Sequence, residues 1–179
     1  MNVLKDFYFE KISNCPDAII PTRGTKDSAG YDFYSSEPIV IPSYKKVMDH
    51  LYYDGISNTM YWDEVEDTVK RARAKTTLIP TGIKCHLPQG YYLHLSLRSS
   101  TPHKHWLIIA NAPGIVDADY YNNQDNEGHI YFQVINLLPC DIYMPAGTKF
   151  GQGIVLPYYI TENDATDTVR EGGFGSTGS

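Results

Sequence analysis

Short apolar runs separated by turn residues cover most of the chain. β-Branched and aromatic residues are grouped in these runs, and proline or glycine follows many of them. The clearest run, 91–97, places Leu93, Leu95 and Leu97 on one face and His94 and Ser96 on the other, which is the alternation of a half-buried strand. Similar runs lie at 39–41, 77–79, 83–87, 107–110, 130–138, 142–144 and 153–156. This spacing predicts an all-β antiparallel sandwich or barrel.

One segment breaks the strand pattern. Trp62, Val65 and Val69 recur at helical spacing, with acidic residues before them and basic residues after them, which complements a helix dipole. We therefore predict one helix over about 61–75, inside an insert at about 44–76. We expect the insert to pack on its own domain, with binding of a protein partner through its aromatic residues as the alternative.

Size and charge restrict the function classes. A chain of 179 residues predicts one β domain, 1–160, followed by a flexible C-terminal arm, 161–179. The formal net charge of −6 argues against a nucleic-acid groove, and no apolar run is long enough for a membrane span. Three widely spaced cysteines predict neither a disulfide framework nor a zinc site, so we expect a cytoplasmic protein.

Several short segments carry candidate chemistry. Asp32 follows a glycine, and Arg98 is followed by Ser99 and Ser100, a grouping that suits an anion. Asp117 follows two β-branched residues, and alternation predicts a partly enclosed carboxylate that can activate water. Spacing alone does not choose between Asp117 and Asp119. Each of these segments, taken singly, is equally well explained as an ordinary turn or strand end.

The glycine-rich end of the chain allows two interpretations. It is either a flexible arm or a segment that closes over a nucleotide, with glycine N–H groups on phosphate oxygens. In the second case Phe174 would stack on a planar ring and Arg170 would pair with a phosphate.

The order of these segments along the chain is a more specific signal of function than any single segment. The segments AGYDFYS, LRSS, GIVDADY, KFGQGIV and GGFGSTG follow one another over residues 29–178. They resemble the five motifs of the trimeric dUTPases, particularly phage and Gram-positive members. The resemblance implies a jelly-roll-like β-clip fold, a homotrimer with active sites shared between subunits, and Mg²⁺-dependent hydrolysis of dUTP to dUMP and pyrophosphate. That activity keeps uracil out of DNA and supplies dUMP for dTMP synthesis.

The resemblance also implies a role for each matching residue. Asp117 corresponds to the base that activates water, and Arg170 to an arginine that reaches the outer phosphate. Tyr120 corresponds to the tyrosine that packs on the deoxyribose, and Phe174 to the lid over uracil. The remaining substrate-binding residues implied are Asp32, Arg98, Ser99, Ser100, Asn111, Gly114, Gln152, Gly175, Ser176 and Thr177. No direct protein ligand for magnesium is implied, because the substrate phosphates and water would hold the ion.

The chain departs from the motifs in three places. Ser100 stands where glycine is usual, Lys149 stands where arginine is usual, and Arg170 lies one residue closer to Phe174 than is common. Arginine followed by two serines also resembles the dCTP deaminases, which share the fold. The deaminase alternative is weakened by Gln133, which stands where those enzymes need a glutamate, because an amide cannot transfer protons as a carboxylate does.

Overall fold

The computed structural model describes residues 3–53, 65 and 76–167, and within them the chain is mainly β-strand. This confirms the predicted all-β, jelly-roll-like fold. The strands are β1 (Tyr8–Lys11), β2 (Thr22–Arg23), β3 (Tyr31–Tyr34), β4 (Ile39–Ile41), β5 (Thr77–Pro80), β6 (Ile83–His86), β7 (Tyr91–Leu97), β8 (Leu107–Ile109), β9 (Gly114–Val116), β10 (Tyr131–Asn136), β11 (Ile142–Met144) and β12 (Lys149–Pro157). The helices are α1 (Tyr44–Tyr53) and α2 (Ser100–His105), and a 3₁₀ turn covers Ala118–Tyr120.

The largest sheet has five strands in the order β2-β3-β12-β7-β9. Its pairings are all antiparallel, and β9 forms one edge. A three-stranded sheet, β5-β10-β8, and two strand pairs, β1-β6 and β4-β11, complete the described strands. The long β12 joins β3 to β7, so it brings early and late parts of the sequence into one sheet.

The core lies where the alternating faces of these sheets meet. Leu93 and Leu95 of β7 are buried, as the alternation predicts, and Phe33, Phe132 and Phe150 are fully buried beside them. The Phe132 ring lies 5.4 Å from the Phe33 ring and 5.0 Å from the Phe150 ring, between ring centroids. Edge-to-face and tilted contacts at these distances stabilise aromatic cores.

Glycines on β12 allow this close packing. A Cβ atom at Gly151 would lie 2.6 Å from a ring carbon of Phe132, and one at Gly153 would lie 2.9 Å from both Leu93 and Phe33. The absence of a side chain at these two positions therefore lets the aromatic rings sit directly against the backbone of β12.

The structure contains two helices that sequence analysis did not predict. Helix α1 begins inside the expected insert, where the Ser43 hydroxyl accepts a hydrogen bond from the Lys46 backbone N–H at 3.2 Å. Asp141 accepts a bond from the Ser43 N–H and pairs with the Lys46 ammonium at 2.7 Å. The predicted helix at 61–75 lies outside the described residues except for Val65, which is helical.

The short helix α2 follows β7 directly. The Thr101 hydroxyl is buried and donates to the carbonyl of Phe150 at 2.7 Å, which fixes the helix against β12. Among the described helices, none has both the length and the apolar character needed to cross a lipid bilayer. After β12 ends, residues 158–167 form neither helix nor strand, and the flexibility of an arm over 161–179 remains a prediction.

Candidate active site

A pocket of about 170 Å³ lies beside the edge strand β9. Four of the predicted site residues line it together: Asn111, Gly114, Asp117 and Tyr120. The other residues of its wall are Leu95, Ile115, Val116, Ile130 and Tyr131. Sequence analysis did not assign these five to the site. A small pocket with both apolar and polar groups at its wall suits the base and sugar of a nucleotide.

Strand β9 sets the shape of this pocket. Gly114 pairs with Leu95 of β7, and Val116 pairs with Leu93. A Cβ atom at Gly114 would lie only 3.2 Å from the Cβ of Leu95, so glycine keeps the strand close and leaves the space open. The buried Gly114 and Val116 face the core, whereas Ile115 is exposed.

The backbone distinguishes the two candidate carboxylates. Asp117 has extended backbone angles, and the chain then enters the 3₁₀ turn Ala118–Tyr120. Asp119 therefore lies in the turn and does not continue the extended strand, and only Asp117 of the two lines the pocket. The predicted partial enclosure of Asp117 is wrong for the single chain, because its side chain is exposed where the strand ends.

Tyr120 is buried and held by two hydrogen bonds on its hydroxyl. The hydroxyl donates to the carbonyl of His129 at 3.0 Å and accepts from the Asn126 side-chain amide at 2.8 Å. The loop between them closes at Gly128, which has φ +82°. A Cβ atom there would lie 2.6 Å from the Tyr120 carbonyl oxygen, so only glycine fits against this turn.

His129 supports the back of the pocket. Its ring is buried, and Nε2 accepts a hydrogen bond from the Gly82 N–H at 2.8 Å. Burial disfavours the charged imidazolium and lowers the pKa of His129 to about 4. The ring lies 4.0 Å from that of Tyr131, between centroids, and burial raises the pKa of the Tyr131 hydroxyl. No motif or spacing in the sequence signals this role for His129.

A second cluster gathers two cations around a buried carboxylate. Asp32 of β3 pairs with Arg98 Nε at 2.9 Å through one oxygen and with Lys149 Nζ at 3.1 Å through the other. Lys149 Nζ also lies 5.3 Å from the centre of the Tyr34 ring. The hydrogen bond to Asp32, followed by that to Tyr34, raises the pKa of Lys149. Lysine therefore makes a charged contact at the position where the motif usually has arginine.

The remaining predicted residues of this cluster lie on neighbouring elements. Gln152 of β12 is directly opposite Asp32, and its amide oxygen lies against Gly30, where a Cβ atom would approach within 2.8 Å. Ser99 precedes helix α2 and is exposed, and Ser100 is the first residue of the helix. Hydroxyls beside two cations suit an anionic ligand.

No residue of the second cluster lines the pocket: Asp32, Arg98, Ser99, Ser100 and Gln152 are all absent from its described wall. Directly opposite residues of antiparallel strands share a face, so Leu95 and Gly114 lie on the core face, whereas Ser96, Gln152 and Asp32 lie on the other face. Ile115 lies opposite His94 and so belongs to that second face as well. The pocket therefore lies at the edge of the sheet and borders both of its faces.

The predicted residues of the last motif lie outside the described residues: Arg170, Phe174, Gly175, Ser176 and Thr177.

Comparison with known proteins decides the family. The family model named dUTPase matches residues 64–178. A deoxyuridine 5'-triphosphate nucleotidohydrolase of Lactococcus lactis subsp. lactis is 34% identical over 162 residues, covering 89% of this chain and 88% of the relative. The chain belongs to the dUTPase family.

Solved structures of dUTPases share its fold. The dUTPase from Streptococcus mutans is similar with a TM-score of 0.68 and 30% identity, covering 87% of this chain and 99% of that one. A point mutant of the dUTPase from phage phi11 of S. aureus, described with a structural Mg(II) ion, gives a TM-score of 0.58 at 18% identity, covering 90% and 97%. The recognition of a dUTPase from five short motifs is thus confirmed.

Proposed function

We propose that this chain is a dUTP diphosphatase, which hydrolyses dUTP to dUMP and pyrophosphate by attack of water on the α-phosphorus. The observation that carries the proposal is that Asn111, Gly114, Asp117 and Tyr120 line one pocket. These are the residues to which the dUTPase motifs assign the base, the sugar and the catalytic carboxylate. Membership of the family supports the same activity.

Asp117 is the proposed general base. It lies at the end of β9, beside the pocket, where a carboxylate can hold a water molecule next to the α-phosphate and accept its proton. Main-chain groups around Asn111 and Gly114 would bind the uracil, and the Tyr120 ring would pack on the deoxyribose.

The cluster of Asp32, Arg98 and Lys149 is the proposed phosphate site. Charge moves to the pyrophosphate leaving group as the bond to the α-phosphorus breaks, and cations held in advance stabilise that charge. Asp32 keeps both cations on the same face as Gln152. Ser99 and Ser100 would add hydroxyl donors to the same phosphates.

We propose that the complete site forms between copies of the chain in a homotrimer. None of the phosphate-site residues lines the pocket of the described chain, which supports a site in which a neighbouring copy brings the phosphate site to the nucleotide. One pair of exposed apolar side chains supports such contacts, since contiguous patches mark interfaces. Val40 and Tyr143 lie directly opposite each other on β4 and β11 and are 53% and 66% exposed.

Magnesium is the proposed cofactor. Among the described residues no group of three His, Cys, Asp or Glu side chains is arranged to hold a metal ion, and both oxygens of Asp32 contact cations. This donor set fits an ion held mainly by triphosphate oxygens and water, which Mg²⁺ prefers. When bound there, Mg²⁺ offsets phosphate charge.

The arm and the insert complete the proposal. Arg170, Phe174, Gly175, Ser176 and Thr177 would close over the bound nucleotide and exclude bulk water. For the insert at 44–76, packing on its own domain stays the expectation, with binding of a protein partner as the alternative. Cys15, Cys85 and Cys140 are free thiols, which is consistent with the reducing cytoplasm that we propose as the location.

Parallel assays of four nucleotides test this function. Pyrophosphate release should be fast with dUTP and much slower with dTTP and UTP, because the pocket is expected to exclude a 5-methyl group and a 2′-hydroxyl. The fourth nucleotide, dCTP, tests the deaminase alternative. Ammonia release from dCTP would instead favour a deaminase. That outcome is not expected, since Gln133, whose amide donates to the Thr76 hydroxyl at 2.6 Å, cannot supply a carboxylate.

A further inference from the structure

The hydroxyl of Tyr120 is firmly anchored at the pocket wall. It donates to the His129 carbonyl at 3.0 Å and accepts from Asn126 Nδ2 at 2.8 Å. Both partners belong to the segment 121–129, which leads from the 3₁₀ turn towards β10. The five dUTPase motifs assign no residue of this segment to the site.

Asn126 is itself held in one orientation. Its Oδ1 accepts from the Asn123 side-chain amide at 2.9 Å and from the Gly128 N–H at 3.1 Å. An amide oxygen facing two donors leaves Nδ2 as the atom that faces the Tyr120 hydroxyl. Asn123 also donates to the Tyr120 backbone carbonyl at 2.8 Å, so the loop and the tyrosine form one hydrogen-bonded unit.

This anchoring determines what the ring offers a ligand. The hydroxyl proton of Tyr120 is committed to the His129 carbonyl, so the ring contributes carbon atoms to the pocket wall. A sugar hydroxyl pressed against that wall loses its hydrogen bonds to water and gains none in return, which makes its binding unfavourable. The pocket wall disfavours a sugar hydroxyl in this way only while the Tyr120 ring keeps its position.

We propose that Asn126 is a positioning residue that sets the preference for 2′-deoxyribonucleotides over ribonucleotides by fixing the Tyr120 ring. The proposal rests on the function proposed above, in which Tyr120 packs on the sugar. It makes Asn126 a specificity determinant that acts through Tyr120 and contacts no substrate itself.

A double-mutant cycle tests this coupling. The measured quantity is the ratio of kcat/KM for dUTP to kcat/KM for UTP in the wild type, Tyr120→Phe, Asn126→Ala and the double variant. One hydrogen bond contributes roughly a factor of 2 to 10, so we expect Asn126→Ala to lower the ratio about threefold and Tyr120→Phe, which loses two bonds, about tenfold. The double variant should resemble Tyr120→Phe, because both changes remove the same contact.

Glu127→Gln is the matched control. It changes a side chain of the same loop whose carboxylate contacts Ser13 and Lys84 and bonds to neither Asn126 nor the Tyr120 hydroxyl. In that background Tyr120→Phe should keep its full effect on the ratio. Tyr120→Phe deletes a single oxygen atom, so it keeps the test decisive if Asn126→Ala lowers the yield of folded protein.

Three results would overturn the proposal. They are an unchanged ratio in Tyr120→Phe, an unchanged ratio in Asn126→Ala, and a drop of about thirtyfold in the double variant, which would mean independent effects. Failure of the proposed function looks different, since the wild-type protein itself would then release no pyrophosphate from dUTP.

Discussion

Replacement of Gly128 by alanine should destabilise the protein more than the same replacement at Gly90. Both glycines have left-handed backbone angles, with φ +82° and +85°. A Cβ atom at Gly90 would meet nothing within 4 Å, whereas at Gly128 it would meet the Tyr120 carbonyl oxygen at 2.6 Å. Gly90→Ala therefore measures the backbone effect alone, and the difference between the two variants measures the clash.

The magnitudes follow from these contacts. A non-glycine residue in the left-handed region costs about 1–2 kcal/mol, which is the whole expected loss for Gly90→Ala. The clash at Gly128 involves backbone atoms of Tyr120, Tyr121 and Asn122 that cannot rotate away, and overpacking of this kind adds about 1–3 kcal/mol. The difference of about 2 kcal/mol corresponds to roughly 6 °C in Tm for a chain of this size.

Thermal unfolding of both variants at one protein concentration measures the difference. Gly128→Ala should also raise KM for dUTP, since the Tyr120 carbonyl must move, while Gly90→Ala should leave KM unchanged. Equal Tm values for the two variants would show that the loop accommodates the added methyl group without loss of stability, which would refute this account of Gly128.

Three further predictions address the base, the buried histidine and the arm. Asp117→Asn should lower kcat by roughly 100- to 10,000-fold with little change in the Kd of a non-hydrolysable dUTP analogue; normal turnover would show that Asp117 is not the base and make Asp119 the candidate. Burial lowers the pKa of His129 from 6.5 to about 4 in the folded protein, so as the pH falls the unfolded state binds this proton first. The contribution of His129 to stability should therefore be constant above pH 7 and fall by about 3 kcal/mol between pH 6.5 and 4. His129→Gln should flatten that part of the stability profile, and an unflattened profile would assign the loss to other groups. Deletion of residues 170–179 should reduce turnover by orders of magnitude and leave Tm unchanged, whereas unchanged turnover would give the arm a different role.

The part of the site that is local in sequence could be predicted from the sequence. Asn111, Gly114, Asp117 and Tyr120 all fall within residues 111–120, so a short stretch of chain brings them to one pocket. The choice between Asp117 and Asp119 depended on the 3₁₀ turn. That turn is accompanied by the hydrogen bond from the Tyr120 hydroxyl to the His129 carbonyl. The spacing of residues along the sequence does not predict such a bond.

Features that depend on distant residues could not be predicted. The start of helix α1 is fixed in part by Asp141, which is 98 positions from Ser43, and α2 is fixed by a bond from Thr101 to the Phe150 carbonyl. Likewise, His129 supports the pocket through the N–H of Gly82. Each of these contacts exists only after the sheets have formed, so local secondary-structure propensity does not predict it.

The central claim is that the pocket of one copy and the phosphate site of another together hydrolyse dUTP. Complementation tests it most directly. Asp117→Asn damages only the pocket, Arg98→Ala damages only the phosphate site, and each variant alone should be inactive. When the two are unfolded and refolded together in equal amounts, about three quarters of the trimers are mixed and each mixed trimer holds one intact site, so dUTP hydrolysis should return to about a quarter of the wild-type rate. Activity of the mixture no higher than that of either variant alone would contradict a site shared between copies.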